Sequence, residues 1–243
     1  MRFLLSVVLL FSLNLVTAQK TIYPSRGIVG KEFLHDDRFS FKLYGLHDSM
    51  KRALGSLEVI ITVDSEARRL IYVYIQKVGP ANFTALLVDS VIISTEDFSP
   101  IYHSTRRQGD ETMLNFEGNR VNGEWYVFNR VRDIIDSTTP PFFDYHILPL
   151  LVCWLPLKEG ENYELPVYDF IVGRHSMTSV SITNIETLYS DNREIRKITV
   201  KEHIRKNSGT VFYVDANSHK LLRADIEKGD KKTQMVRENP PSL

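Results

Sequence analysis

Ser56-Leu57-Glu58-Val59-Ile60-Ile61-Thr62-Val63 is the stretch whose reading decides the fold class. Leu57, Val59, Ile61 and Val63 share one parity, and Ser56, Glu58, Ile60 and Thr62 the other. Successive strand side chains point to opposite faces, so this period of two predicts a strand with one buried face. The pattern repeats upstream, where Phe39, Phe41 and Leu43 alternate with Ser40, Lys42 and Tyr44. Across residues 69–77, Ile71, Val73 and Ile75 share one face and Tyr72 and Tyr74 the other. Such a strand is either covered on both sides or lines a cavity with one of them.

Turn chemistry recurs between these runs. Asn122-Gly123 has the type I′ preference and is expected to join a strand near 112–116 to the aromatic strand 125–131. Asp191-Asn192 separates 179–189 from 194–205, Asn217-Ser218 separates 210–214 from 220–227, and Gly229-Asp230 leads into 231–236. Short strands with turns at these intervals predict a mainly β fold, a curled antiparallel meander of half-barrel or barrel-like form. The middle of the chain breaks the pattern. After Pro140-Pro141 comes Phe142-Phe143-Asp144-Tyr145-His146-Ile147-Leu148-Pro149-Leu150-Leu151-Val152-Cys153-Trp154-Leu155-Pro156. It reads as one or two short helices near 142–155, with Pro149 breaking or restarting the helix. A helix apolar nearly all round must be buried. In a curled sheet the concave face is where it fits.

A family resemblance rests on a succession of short patterns: Asp97-Phe98-Ser99-Pro100-Ile101-Tyr102, Phe116-Glu117-Gly118, Val121-Asn122-Gly123, then Phe143-Asp144 ahead of an apolar helix ending Leu155-Pro156-Leu157-Lys158-Glu159-Gly160. With a turn-linked strand pair near the C-terminus, this resembles bacterial exported β-proteins of a domain-of-unknown-function family. That family is similar in architecture to the lipoprotein-localisation factors, whose half-barrel holds lipid beneath a helical lid. The resemblance covers residues 85–228 and implies a curved antiparallel sheet on a helix, a bacterial host, and a periplasmic or secreted location. It implies no set of catalytic residues. Residues 20–55 fall outside it.

The chain's ends agree with export. Arg2, an apolar run from 3 to 16 and the small-residue pattern Val16-Thr17-Ala18 read as a signal peptide over 1–18, cleaved before Gln19. The run is shorter than the roughly 20 residues a membrane anchor needs. The expected organisation is a single β domain over 19–237 and a disordered tail over 238–243, with no transmembrane span after cleavage. The net charge of +0 argues against nucleic-acid or polybasic membrane binding, and 43% hydrophobic residues argue against disorder. Cys153 is the lone cysteine, so no intramolecular disulfide forms, and it reads as a small buried hydrophobe. Asn82-Phe83-Thr84 is a formal glycosylation sequon of little meaning in a bacterial host.

The sequence carries no nucleophile elbow, zinc-binding helix or phosphate loop, and the seven histidines are dispersed. No catalytic residue, metal site or cofactor is therefore assigned. Asp144-Tyr145-His146 reads as a helix cap with a surface or boundary histidine. The aromatic and apolar side chains Tyr72, Tyr74, Trp125 (or its opposite-face neighbours Tyr126 and Phe128), Phe142, Phe143, Ile147, Leu151 and Trp154 are the candidate binding residues for an apolar ligand. Lys197, Lys201, His203 and Arg205 form a candidate basic face for an anionic partner, or a solvated face paired with acids such as Glu186. The expectation is an exported, non-enzymatic envelope protein that binds a lipid or other apolar ligand between sheet and helix. The alternatives are a module that contacts an envelope protein or glycan, and a hydrolase whose site is assembled only by the fold.

Overall fold

The computed structural model describes residues 19–25, 33–47, 50–79, 85–128, 130–138, 141–169, 176–190, 192–203 and 207–238. The first run of strands is β1 (Lys20–Thr21), β2 (Asp37–His47), β3 (Met50–Asp64), β4 (Arg69–Val78), β5 (Ala85–Ser94), β6 (Pro100–Arg107), β7 (Asp110–Glu117), β8 (Arg120–Val127) and β9 (Arg130–Ser137). Next come β10 (Phe143–Asp144), a 3-10 turn (Tyr145–Ile147) and helix α1 (Leu148–Trp154). The second run is β11 (Tyr163–Asp169), β12 (Ser176–Ser190), β13 (Arg193–Glu202), β14 (Ser208–Asp215), β15 (Leu221–Lys228) and β16 (Lys231–Arg237).

All of these strands belong to one sheet. From β2 to β9 and from β11 to β16 neighbours in sequence pair antiparallel, and β16 pairs antiparallel with β2 in the register Met235↔Leu43. Two meanders thus become one ladder running from β11 to β16 and on from β2 to β9. On the outer edge of β11, β1 and β10 add parallel pairs, Lys20↔Tyr163 and Phe143↔Val167. Register shifts at Leu43/Tyr44, Ile92/Ile93, Thr183/Glu186 and Tyr213/Val214 interrupt the ladder. An extra residue in one strand bends it and increases its right-handed twist, which is how so wide a sheet curls.

The curl encloses α1. Phe41, Val59 and Ile61 from one run and Leu165, Ile182, Val200 and Val214 from the other join the helix's Leu148, Leu150, Leu151, Val152, Cys153 and Trp154 in a single core. The alternation read from residues 39–43 and 56–63 is the inward face of β2 and β3. Leu114, Phe116, Val121 and Ile134 of β7–β9 form a second cluster with Phe142 and Tyr168. The Tyr168 hydroxyl, on β11, donates to Asp136 Oδ2 on β9 at 3.4 Å. The two ends of the ladder therefore meet through side chains rather than backbone pairing.

The middle segment departs from expectation in detail. Residues 143–144 are strand, and Pro149 opens α1 from its first turn, where its missing N–H is harmless. Asn122-Gly123 is not a turn. It lies within β8, opposite Asn115 and Leu114, and the hairpin closes at Gly118-Asn119 between Glu117 and Arg120. Gly118 supplies the positive φ of +60° there. A Cβ on Gly123 would stand 2.0 Å from the Met113 carbonyl oxygen, so this glycine serves close approach and not reversal. The expected turns at 192, 217–218 and 229–230 fall where β12–β13, β14–β15 and β15–β16 reverse.

The segment read as a signal peptide, the sequon at 82–84, Asp191, Arg205 and the tail beyond 238 lie outside the described residues. Glu238 itself donates its backbone N–H to Ser40 at 2.8 Å, one residue past the expected domain end. Among the described residues, no helix is long and apolar enough to cross a membrane.

Candidate functional site

A cavity of about 400 Å³ remains between the concave sheet and α1. Its apolar wall comes from Phe41, Leu43, Val59 and Ile61 of β2–β3, from Phe212, Ala224 and Met235 of the second meander, and from Leu148, Leu150 and Trp154 of the helix. Tyr72 and Tyr74 line it too, which resolves the two faces of β4: the tyrosine face looks inward and the isoleucine face is half-buried outside. The lining also carries the carboxylates Asp37 and Glu202. Arg237 sits 3.9 Å over the Phe39 ring and 3.5 Å from Asp37 Oδ2, which Lys220 Nζ also approaches to 3.6 Å. Lys228 and Lys231 line the cavity as well.

Burial tunes the groups on this wall. It pushes the Cys153 thiol up to about 12, and the thiol donates to the Pro149 carbonyl at 3.1 Å. Burial likewise raises the phenols of Tyr72 and Tyr74, with the charge of Asp89 adding to the effect. All three stay protonated and behave as weakly polar packing groups.

A buried polar cluster lies behind the same wall and reaches it through His146. Asp89 on β5, His103 and Thr105 on β6, and Asp144 and His146 in the central segment are all buried. Their convergence follows from the ladder, where Val91 lies opposite His103 and Asp89 opposite Thr105. Asp144 does two jobs. Its Oδ1 accepts the backbone N–H of His146 at 2.8 Å, capping the 3-10 turn, while its Oδ2 meets His103 Nδ1 at 2.6 Å. On the other side of the ring, His103 Nε2 is 3.0 Å from Thr105 Oγ1, 2.8 Å from Asp89 Oδ1 and 3.1 Å from His146 Nδ1. Asp89 Oδ2 is 3.1 Å from His146 Nδ1. Burial would raise the Asp89 carboxyl, but the rings of His146 and His103 more than offset this and hold it well below the usual carboxylate range. Burial would likewise lower His103, and the two flanking carboxylates lift it instead. His146 is therefore not the surface or boundary residue expected from the sequence. The helix cap read from Asp144 is present, but its second oxygen serves a histidine from another element.

Of the side chains singled out for an apolar ligand, Tyr72, Tyr74 and Trp154 line the cavity. Phe143, Ile147 and Leu151 are packed in the core around it, and Phe142 belongs to the second cluster. Trp125 also packs against that cluster, with its indole N–H donating to Asp110 Oδ1 at 2.6 Å. Tyr126 is half-buried, its hydroxyl bonded to Glu124. Phe128 points away from the cavity and is 80% exposed at the β8–β9 turn. On the basic face, Lys197 pairs with Glu186 at 3.1 Å directly across the β12–β13 ladder. His203 sits 2.6 Å from Ser181 Oγ and 3.3 Å from Glu164, and Lys201 is exposed. Reading along the chain missed Asp89 and His103. The signal that finds Asp89 is its parity, because it shares the inward positions of β5 with Val91 and Ile93.

A curled sheet wrapped on a short helix, with a cavity between them, defines a barrel-like β-protein. A solved structure is similar in fold: the "Beta-barrel-like Protein of Domain of Unknown Function DUF1849 from Brucella abortus" superposes with a TM-score of 0.56 at 8% identity, over 85% of this chain and 97% of that one. The chain belongs to the family described as "Protein of unknown function (DUF3108)", which matches residues 40–236. Curated relatives match only locally. Glycerol kinases of Rhizobium meliloti (strain 1021) and Sinorhizobium fredii (strain NBRC 101917 / NGR234) are 29% and 30% identical over 93 residues, 38% of this chain. The chain spans 18% of the length of these kinases.

Proposed function

We propose that the protein is an exported envelope protein that holds an apolar, acyl-chain ligand between the curved sheet and α1. The observation that carries this reading is the cavity of about 400 Å³, walled by aliphatic and aromatic side chains. Small-molecule sites have volumes of roughly 300–1,000 Å³ and mostly apolar walls. Burying ten methylenes would gain roughly 8 kcal/mol before the costs of association, enough for useful affinity. In the lining the cations Arg237, Lys220, Lys228 and Lys231 outnumber the carboxylates Asp37 and Glu202, which favours an anionic headgroup over a cationic one.

The experiment is titration of delipidated protein with a fluorescent fatty acid, alongside native mass spectrometry of the protein as purified. Ala224 is fully buried and lines the cavity, so Ala224→Phe fills the space. Wild type is expected to bind the probe, and Ala224→Phe to bind it at least about tenfold more weakly, a loss of roughly 1.4 kcal/mol. Equal binding by a folded Ala224→Phe, or no binding by wild type, rejects the carrier.

One observation favours a second reading, the hydrolase with a fold-assembled site: Asp89 and His103 gather behind His146, which lines the cavity. An ester of the same fatty acid distinguishes the two, since a carrier binds it unchanged and a hydrolase turns it over.

A further inference from the structure

Asp89, His103 and His146 offer one ligand atom each, and these atoms all lie within 4.8 Å of one another. The closest approaches are 2.8 Å between Asp89 Oδ1 and His103 Nε2, and 3.1 Å both between the two rings and between Asp89 Oδ2 and His146 Nδ1. Two ligands each about 2.0 Å from a tetrahedral cation are about 3.3 Å apart, so this triangle has the size of one face of such a coordination shell. Orientation matters as much as distance. Both approaches of the Asp89 oxygens to the rings are short, yet neither has the angle of a good hydrogen bond. Three potential ligand atoms thus crowd together without a well-formed hydrogen bond between the carboxylate and the rings.

The surroundings complete the pattern. Asp144 Oδ2 lies 2.6 Å from His103 Nδ1 and takes up that side of the ring, so Nε2 is the ring atom that faces Asp89, His146 and the Thr105 hydroxyl. A carboxylate behind an imidazole ligand is the usual support of a histidine bound to metal. The Asp144 backbone is itself set by its cap on the 3-10 turn that carries His146. The cluster is 0–2% exposed at the side chains of Asp89 and His103 and 7% at that of His146. His146 alone of the three lines the cavity.

We propose that Asp89, His103 Nε2 and His146 Nδ1 bind a divalent first-row transition cation, with zinc the member that fits best. Two imidazoles and one carboxylate are too soft a set for magnesium or calcium and lack the thiolates that select copper(I). Three protein ligands leave a fourth position, and His146 places it at the cavity wall, where water or a ligand's polar end can take it. On binding, the cation displaces any proton held between the rings and Asp89, while the Nδ1 proton of His103 stays with Asp144. The site stands independently of any acyl-chain ligand.

The test uses the full chain, stripped with a chelator and titrated with zinc by calorimetry, then with cobalt(II) followed by visible absorption. One equivalent of zinc per chain, proton release, and intense cobalt bands of a four-coordinate nitrogen–oxygen site are expected. His146→Gln, the least buried ligand, should weaken zinc binding by more than about 100-fold, and Asp144→Asn by about 10- to 100-fold with the stoichiometry kept. Zinc uptake that His146→Gln retains in full is surface binding and overturns the proposal. Should His146→Gln fail to fold, the wild-type titration decides: no uptake of zinc and no cobalt bands overturn it just as firmly.

Discussion

At the scale of single residues, the two glycines of the β7–β8 hairpin show how one residue type serves opposite purposes. Gly118 takes φ +60° with nothing within 4 Å of a notional Cβ. Gly118→Ala should therefore cost only the left-handed penalty, about 1–2 kcal/mol. At Gly123 an added Cβ meets the Met113 carbonyl at 2.0 Å and Leu114 Cδ2 at 2.8 Å, and backbone cannot step aside cheaply. Gly123→Ala should cost about 3 kcal/mol, the top of the range for overpacking. Urea denaturation of both variants checks this, and a larger loss at position 118 than at 123 would refute it. The pair also explains why Asn122-Gly123 misleads: its local preference for a turn is overridden by a ladder that needs a missing side chain on that strand. The buried cluster was half-visible for a similar reason. Asp144 and His146 are neighbours in sequence, but His103 and Asp89 reach them only because β5 and β6 pair, and spacing along a chain carries no information about cross-strand partners.

At the scale of elements, α1 shows which parts of a pattern carry energy. Its seven residues include six that are buried: Leu148, Leu150, Leu151, Val152, Cys153 and Trp154. So short a helix has little stability of its own and persists because the sheet surrounds it. Leu151 is fully buried, so Leu151→Ala should cost about 3 kcal/mol, through lost transfer energy and the void left behind. Pro149 sits in the first turn, where it breaks no helical hydrogen bond. Pro149→Ala should cost only about 0.5 kcal/mol, the entropy the unfolded chain regains. Equal losses in urea melts of the two variants would contradict this division of labour. The strong apolarity of residues 142–155 made burial legible in advance, because hydrophobicity is a property of the residues themselves. The boundary between β10, the 3-10 turn and α1 was not legible, because Phe143-Asp144 is strand only through its parallel pairing with β11.

At the scale of the whole molecule, a core stocked with weak acids sets a limit at alkaline pH. Cys153 is raised by burial from 9.0 to about 12, and Tyr72 and Tyr74 are raised from 10.0, again chiefly by burial. Folded groups that hold their protons longer than unfolded ones contribute stability that is fully present below the unfolded pKa and lost as pH climbs towards the folded one. For the thiol that window opens at pH 9 and for the phenols at pH 10. Each group removes up to about 1.4 kcal/mol per pH unit once the unfolded form is ionised, so the three together approach about 4 kcal/mol per unit near pH 11. Unfolding free energy measured in urea should thus be level in this respect to pH 9 and fall ever more steeply beyond. The alkaline loss should shrink in a way that identifies its source. Cys153→Ala should flatten the curve from pH 9 upward, and Tyr72→Phe only from pH 10 upward. Curves that run parallel to wild type in both variants would mean that these side chains share their protons with solvent when folded. In that case the cavity wall they line is open to water and unsuited to an acyl chain.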